Sequence, residues 1–403
     1  MLASGAARMA REDAFTMTSP IFTEEHSLIR DSLRRFVDEE VVPHGPKWET
    51  EGMVPRPVLR RMGELGFLGM RVPVEYGGAG MDARASVILA EETARSTFGG
   101  FAITVLVHTD MASPHLINAG SHEQKQRFLP PIVRGEKISA IAVTEPDAGS
   151  DVAGLRTRAV RDGNKGWVLN GAKMFITNGV HADVYIVAAR TDPESKGSRG
   201  ISMFIVEKGM PGFRVGRALQ KQGWGCSDTA ELVFEDVRVP AENLLGEENR
   251  GFYAVMQNFQ NERLVVGAQA VSECFAMLRM TVDYVMNRKA FGGTLWDKQA
   301  IRQRLSMAAA KAEAARQLVH YTAWLDAQGR DCVAQVSMLK AHCGELVNEI
   351  AYTCQQFHGG FGYIKDSAIE RMVRDVRVEA IGGGATEVML EEVAKRIHNA
   401  LAD

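Results

Sequence analysis

GFYAVMQNFQNERLVVGAQAVSECFAMLRMTVDYVMNR, Gly251 to Arg288, reads as one long helix. Phe252, Val255, Phe259, Val266 and Ala270 recur at the three-four spacing of a single helical face. Glu262 falls on that face, between Phe259 and Val266, and Arg263 follows about 100° further round. An ionised carboxylate on an apolar stripe is costly unless it is paired or has a task. Two readings stand. Either Glu262 is functional, or the helix is turned slightly and both charges face water. Glu273, on the same line, supports the second.

Upstream of this helix the pattern changes twice. Thr23 reads as an N-cap with Glu24 and Glu25 in the acidic first turn. Leu28, Ile29, Leu33, Phe36, Val37 and Val41 then form a stripe that Pro43 ends. Helical patterns recur at 57–66, 82–96, 98–111 and 122–134, with turn chemistry over Arg71–Gly78. From Lys137 the chain breaks into short apolar or alternating runs at 139–144, 157–161, 167–170, 174–177, 184–189, 201–207 and 231–234. Asp162-Gly163-Asn164 and Asn170-Gly171 between them are hairpin signals. Beyond the long helix, further helices are predicted over 298–325, 333–357, after Asp366, and over 386–400.

The expected class is α+β: a helical domain over 21–136, an antiparallel β domain over 137–246 and a helical domain over 247–403. This is not the βαβ alternation of a dinucleotide fold, and neither GxGxxG nor a Walker A pattern occurs. Residues 1–20 lack periodicity and are expected to be a disordered extension. Arginines and alanines there faintly suggest a transit peptide, but Glu12 and Asp13 count against it. Met9 and Met17 suggest an early start codon instead.

In 403 residues, 45% apolar and 24% charged content is that of an ordinary globular chain. A net charge of −3 without a long basic run argues against nucleic acid or an anionic membrane as partner. The most strongly apolar run, near Phe101 to Val107, is too short to span a bilayer. Five scattered cysteines show neither metal-ligand spacing nor a CxxC pair, so no metal is expected. They point to a reducing compartment. The expected location is a bacterial cytoplasm rather than a mitochondrial matrix.

Two segments carry chemistry. Ile141-Ala142-Val143-Thr144-Glu145-Pro146-Asp147-Ala148-Gly149-Ser150-Asp151 ends the first β run in a rigid, oxygen-rich loop. Lys173-Met174-Phe175-Ile176-Thr177-Asn178-Gly179 puts an aromatic, a hydroxyl and an amide at a strand end. Such groups suit a planar heterocycle with polar edges, such as a flavin, although a plain turn fits the first segment equally well.

These motifs and the α–β–α order resemble the acyl-CoA dehydrogenase family, from about Ile21 to the C-terminus. Cys226-Ser227-Asp228-Thr229, Arg288-Lys289-Ala290-Phe291-Gly292, Gln356-Phe357-His358-Gly359-Gly360 and Arg374-Asp375 match it too. The resemblance implies FAD, with Ile141, Val143, Thr144, Gly149, Ser150, Phe175, Ile176 and Thr177 along the isoalloxazine ring. Arg288, Phe291, Gln299, Gln356, Phe357, Gly359 and Gly360 would reach the adenine–pyrophosphate end of a neighbouring subunit's FAD. Ala385 and Glu387 are placed near the cofactor. Ser150, Arg263 and Gly384 are placed on the substrate side.

In this family a glutamate removes the pro-R α-proton of an acyl-CoA. The usual position is Gly383 here, which cannot take a proton. The isovaleryl-CoA and long-chain branches carry the base on the long helix before an arginine, as Glu262-Arg263 does. Gly383 then supplies a main-chain N–H to the thioester oxygen. Ile381–Leu390 and Thr109–Pro114 look similar to the citronellyl-CoA and long-chain enzymes. Ala385 replaces the usual threonine, and Phe175 the common tryptophan. The resemblance implies a trans-2-enoyl-CoA product within fatty acid β-oxidation. It also implies an electron-transferring flavoprotein as acceptor and a homotetramer built as a dimer of dimers. An acyl-CoA oxidase, a flavin hydroxylase and a non-catalytic acyl-CoA-binding module remain as alternatives. The glycines at 382–384 predict room for a methyl branch, and hence medium-to-long or branched acyl groups.

Overall fold

The computed structural model describes residues 19–195 and 197–400. Most of the extension expected over 1–20 therefore lies outside the described residues.

Helix α1 (Glu24–Phe36) starts at Thr23, which forms a capping box with His26. It is followed by α2 (Gly45–Glu51), α3 (Arg56–Glu64), α4 (Ala83–Ala94) and α5 (Gly99–Leu106). The chain then runs through a π-helical turn, Val107–Ala112, into α6 (Ser113–Ala119) and α7 (His122–Val133). Pro114 has no N–H to offer the carbonyl of Asp110, four residues back, and the helix changes its pitch there.

The central sheet holds β1 (Ser139–Ala142), β2 (Arg158–Arg161), β3 (Gly166–Thr177), β4 (Val184–Arg190), β5 (Ile201–Glu207), β6 (Phe213–Ala218), β7 (Thr229–Pro240) and β8 (Leu244–Leu245). Its path is β6-β7-β3-β2-β4-β5-β8, with β1 also on β4. Pairing is mainly antiparallel, but β1 runs parallel to β4, and β2 touches β4 in parallel at Arg158 and Arg190.

Two sequence expectations need correction. Asp162-Gly163-Asn164 does turn β2 into β3, but Asn170-Gly171 does not form a hairpin. The runs at 167–170 and 174–177 belong to one strand, whose register on β7 shifts between Leu169 and Gly171 and between Lys173 and Ile176. Gly171 has φ +148°, and a Cβ there would lie 2.6 Å from Thr157 Oγ1 and 2.7 Å from Thr157 Cα. The glycine serves a bulge and a close backbone approach, which a dipeptide signal cannot distinguish from a turn. Strand β6 was not expected, because it is mostly exposed and carries little apolar alternation.

Helix α8 (Gly251–Asn287) is the axis of the C-terminal half. A small hairpin of β9 (Lys289–Ala290) and β10 (Gly293–Thr294) follows. After it come α9 (Gln299–Ala327), α10 (Val333–His358), α11 (Ala368–Val376) and α12 (Thr386–Ala400). Helix α8 packs against α10, α4 and α9 together. It is long and apolar enough to cross a membrane by composition alone, but that character is spent on burial in the bundle. Gly267 lets α10 approach, since a Cβ there would meet Leu339 Cδ1 at 2.3 Å. From Asn261 to Val271 every residue is buried. The single stripe read from the sequence is thus too narrow, and the reading that turned Glu262, Arg263 and Glu273 toward water does not hold.

Gly171→Ala should reveal the bulge. The new methyl would press on the Thr157 backbone from a left-handed conformation, at a cost of about 1–3 kcal/mol. Urea unfolding should show a lower midpoint with an unchanged slope.

Candidate active site

Glu262 is 6% exposed at the middle of α8. Burial pushes its carboxyl up to about 8, against opposing effects from an Asn258 hydrogen bond and the Arg263 charge. Asn258 Nδ2 lies 3.2 Å from Glu262 Oε1 and 3.0 Å from the Met111 carbonyl. Asn261 Nδ2 donates to the Asp110 carbonyl at 2.8 Å, and Asn261 Oδ1 accepts from Arg71 at 2.5 Å. The amides of α8 therefore satisfy the π turn.

The Gly382–Gly384 loop lies on the same part of α8. A Cβ at Gly383 would be 4.0 Å from Val266 Cγ2, one helical turn past Glu262. A Cβ at Gly384 would be 3.6 Å from Arg263 Nε. Both glycines have left-handed φ, +65° and +103°. Buried Lys340 closes the loop from beneath, its Nζ donating to the Glu379 carbonyl at 2.6 Å and the Gly384 carbonyl at 3.0 Å. Burial pulls that ammonium down to about 8. Among the described residues, no protein acceptor pairs with the Gly383 N–H or with Arg263 Nε. Arg263 instead stacks its guanidinium 5.4 Å from the Phe259 ring centre. Glu387 lies exposed in the first turn of α12, and Ala385 accepts from Met389 N.

A second group forms at the end of β1. Glu145 Oε1 contacts Lys173 Nζ at 2.8 Å and accepts from Thr157 N at 2.9 Å, while Oε2 accepts from Arg156 N at 2.6 Å. Lys173 also donates to the Val143 carbonyl at 2.9 Å. This pair is buried and holds Val143 against β3, while Glu145 and Ala148 close the turn that leads to exposed Gly149 and Ser150. The Thr144 carbonyl accepts from Met174 N at 2.9 Å, which sets Phe175 beside the loop. Phe175 is 66% exposed, with φ +62°. An aromatic residue pushed outward by left-handed backbone is the sort of strain that collects at ligand sites. Ile176 and Thr177 continue into the pairing with β7, and Ile141 lies within β1.

The remaining candidates do not form one cluster. Arg288, Gln356, Phe357, Gly359 and Gly360 line a cavity of about 630 Å³ with Tyr284 and His358. Phe291 projects from the β9–β10 hairpin with φ +52° and is not among its lining residues, and Gln299 opens α9 apart from it. Arg374-Asp375 is structural: Asp375 accepts from Trp224 N at 2.6 Å and Gly99 N at 3.2 Å, tying all three regions together.

Family models for the acyl-CoA dehydrogenase N-terminal, middle and C-terminal domains match residues 23–136, 140–237 and 249–398. The chain belongs to the acyl-CoA dehydrogenase family. It is therefore one of a family of oxidoreductases that depend on FAD. It is 43% identical to the mitochondrial long-chain specific acyl-CoA dehydrogenase of Mus musculus, over 94% of this chain and 87% of that protein. The acyl-CoA dehydrogenase structure from Geobacillus kaustophilus superposes with a TM-score of 0.91 at 41% identity, covering 94% and 100% of the two chains. A glutaryl-CoA dehydrogenase from Mycobacterium smegmatis in complex with FADH2 has a TM-score of 0.88 at 30% identity, covering 95% and 97%.

The residues present fit such a cofactor. Phe175 offers an open aromatic face next to Met174, whose N–H meets the Thr144 carbonyl, and the 630 Å³ cavity offers a guanidinium, an amide and two glycines. Reading the sequence missed Asn258 and Lys340, and included Lys173 in a chemical segment without giving it a task. Asn258 had a signal, its i,i+4 spacing to Glu262. Lys340 had none, since its acceptors are backbone carbonyls some forty residues away.

Glu145→Gln would leave the buried Lys173 ammonium without its counter-charge, a loss of order 3–5 kcal/mol. Purified protein should show a lower Tm and a reduced ratio of flavin to protein absorbance. Unchanged values for both would show that the pair does not hold the loop.

Proposed function

We propose that this protein oxidises a medium-to-long or methyl-branched acyl-CoA to the trans-2-enoyl-CoA, with Glu262 as the base. The observation that carries the reading is a carboxylate buried on α8 under a loop that presents glycine at 383. An α-proton of a thioester is too weakly acidic for an ordinary solvated carboxylate. Burial gives Glu262 an affinity for protons nearer to operating pH, which suits a general base. The Gly383 N–H would donate to the thioester oxygen as enolate character develops. Arg263 and Gly384 would face the substrate, and Ser150 would touch its CoA side. Glu387, exposed on α12, is displaced from this arrangement. Bound FAD supplies the acceptor for the β-hydride. Ile141, Val143, Thr144, Gly149, Ser150, Phe175, Ile176 and Thr177 would hold its ring, with Ala385 nearby.

Long acyl groups are supported by the likeness to the long-chain specific enzyme of mouse, and branched ones by the space that glycine leaves beside Val266. An electron-transferring flavoprotein is the acceptor we favour, and β-oxidation the setting. The five buried free thiols suit a reducing cytoplasm. A homotetramer is supported by exposed Met307, Tyr321, Tyr352, Tyr363 and Phe291 on the C-terminal half. Sedimentation should find a tetramer, and a stable FAD-loaded monomer would oppose it.

The decisive experiment is anaerobic flavin reduction by straight acyl-CoAs of rising length and their 3-methyl counterparts. Glu262→Gln should keep FAD and lose about 10²–10⁴-fold in reduction rate, and Glu387→Gln far less. In the native enzyme kcat/KM should rise with pH through about 8, because the base must be ionised. Butyryl-CoA as optimum with branched esters rejected would overturn the substrate assignment, and peroxide release in air would favour an oxidase.

A further inference from the structure

We infer that Asn258 is the positioning residue of Glu262: its side-chain amide ties one carboxylate oxygen to the carbonyl rim of the N-terminal π turn. This rests on Glu262 being the base.

The geometry is set at the end of the π turn. Pro114 leaves the Asp110 carbonyl without its helical donor, and Asn261 on α8 supplies one. Asn258, one turn earlier on α8, donates to the neighbouring Met111 carbonyl. Asn258 is 4% exposed, and its one NH₂ group lies within reach of three acceptors: Met111 O at 3.0 Å, Glu262 Oε1 at 3.2 Å and Asp110 O at 3.5 Å. The amide cannot rotate away from Glu262 without leaving the turn. Oε1 is thereby held, and Oε2 is the atom left to take the α-proton. The donor also favours the ionised carboxylate, working against burial.

The charged groups on the surrounding elements are engaged elsewhere. Asp110 accepts from Ser86, Thr109 and Asn261. Arg71 donates to Asn261 and faces Asp326. His115 on α6 is kept neutral, burial pulling it down to about 4. Lys340 holds two carbonyls, and Glu379 shares the Gln269 amide with Glu273. Glu392 is paired with Lys395 and Arg396. Arg263, on the same helix, is the charge that acts on Glu262.

The test is the pH profile of kcat/KM with the FAD-loaded enzyme and a long-chain acyl-CoA, for Asn258→Leu, Asn258→Asp, Asn261→Leu and Glu262→Gln. Asn258→Leu keeps volume and removes the donor. Its acid limb should move up by about one pH unit, a roughly tenfold loss below the limb. Asn258→Asp keeps shape and puts an acidic group beside Glu262, so its limb should move at least as far. Asn261→Leu loosens the same turn without touching Glu262, and its limb should stay. The inference is overturned if both Asn258 limbs stay, or if Asn261→Leu moves its limb equally, which would make docking the cause. An inactive Glu262→Gln alongside unmoved Asn258 limbs would overturn this inference alone. A fully active Glu262→Gln would overturn the base assignment and this inference with it.

Discussion

Between Asn261 and Val271, helix α8 has no side facing water, and within that stretch sit a glutamate, an arginine and a glutamine. Each polar atom there has to find a partner inside the protein or remain unsatisfied at about 1–3 kcal/mol. Much of the molecule can be read as the answer to that demand. The π turn gives carbonyls to Asn258 and Asn261, and the Gly382–Gly384 loop lies over Arg263 and Val266. Among the described residues, Glu262 keeps a single amide, while Arg263 Nε and Gln269 Oε1 have no partner. Of these, Glu262 and Arg263 are the groups we propose to face the substrate.

The β domain solves a related problem differently. Lys173 is fully buried, and burial pulls it down to about 8 even with Glu145 beside it. Glu145 also accepts two backbone N–H groups, so one carboxylate orders both the loop after β1 and the segment entering β2. That rigidity lets β3 end in a left-handed, outward-facing Phe175. The side proposed to face the flavin is thus preorganised by a buried ion pair, and the side of the proposed base by helix amides.

Much of this was legible in the chain itself. The α–β–α order, the capped first helix and the α8 span follow from local periodicity and capping, which act within a few residues. Glu262 stood out because a carboxylate interrupted an apolar face. The Thr-Glu-Pro-Asp-Ala-Gly-Ser-Asp run could be read as a rigid loop, yet its glutamate's task could not, because Lys173 lies 28 residues away. Asn170-Gly171 misled because a bulge and a hairpin use the same dipeptide, and the choice lies with Thr157 across the sheet.

By itself, then, the sequence determined the succession of helices and strands, the position of the glutamate and the absence of a competing carboxylate at 383. These depend on residue type and short-range spacing. The tertiary structure alone decided that α8 is buried on every side from Asn261 to Val271, which raises the proton affinity of Glu262 toward neutrality, as the proposed base requires. It also decided that Gly383 lies over Val266, that Lys340 shapes the loop and that Asn258 bridges Glu262 to the π turn. Desolvation and hydrogen bonding between distant segments depend on what surrounds a group in space, and no periodicity in the chain carries that information.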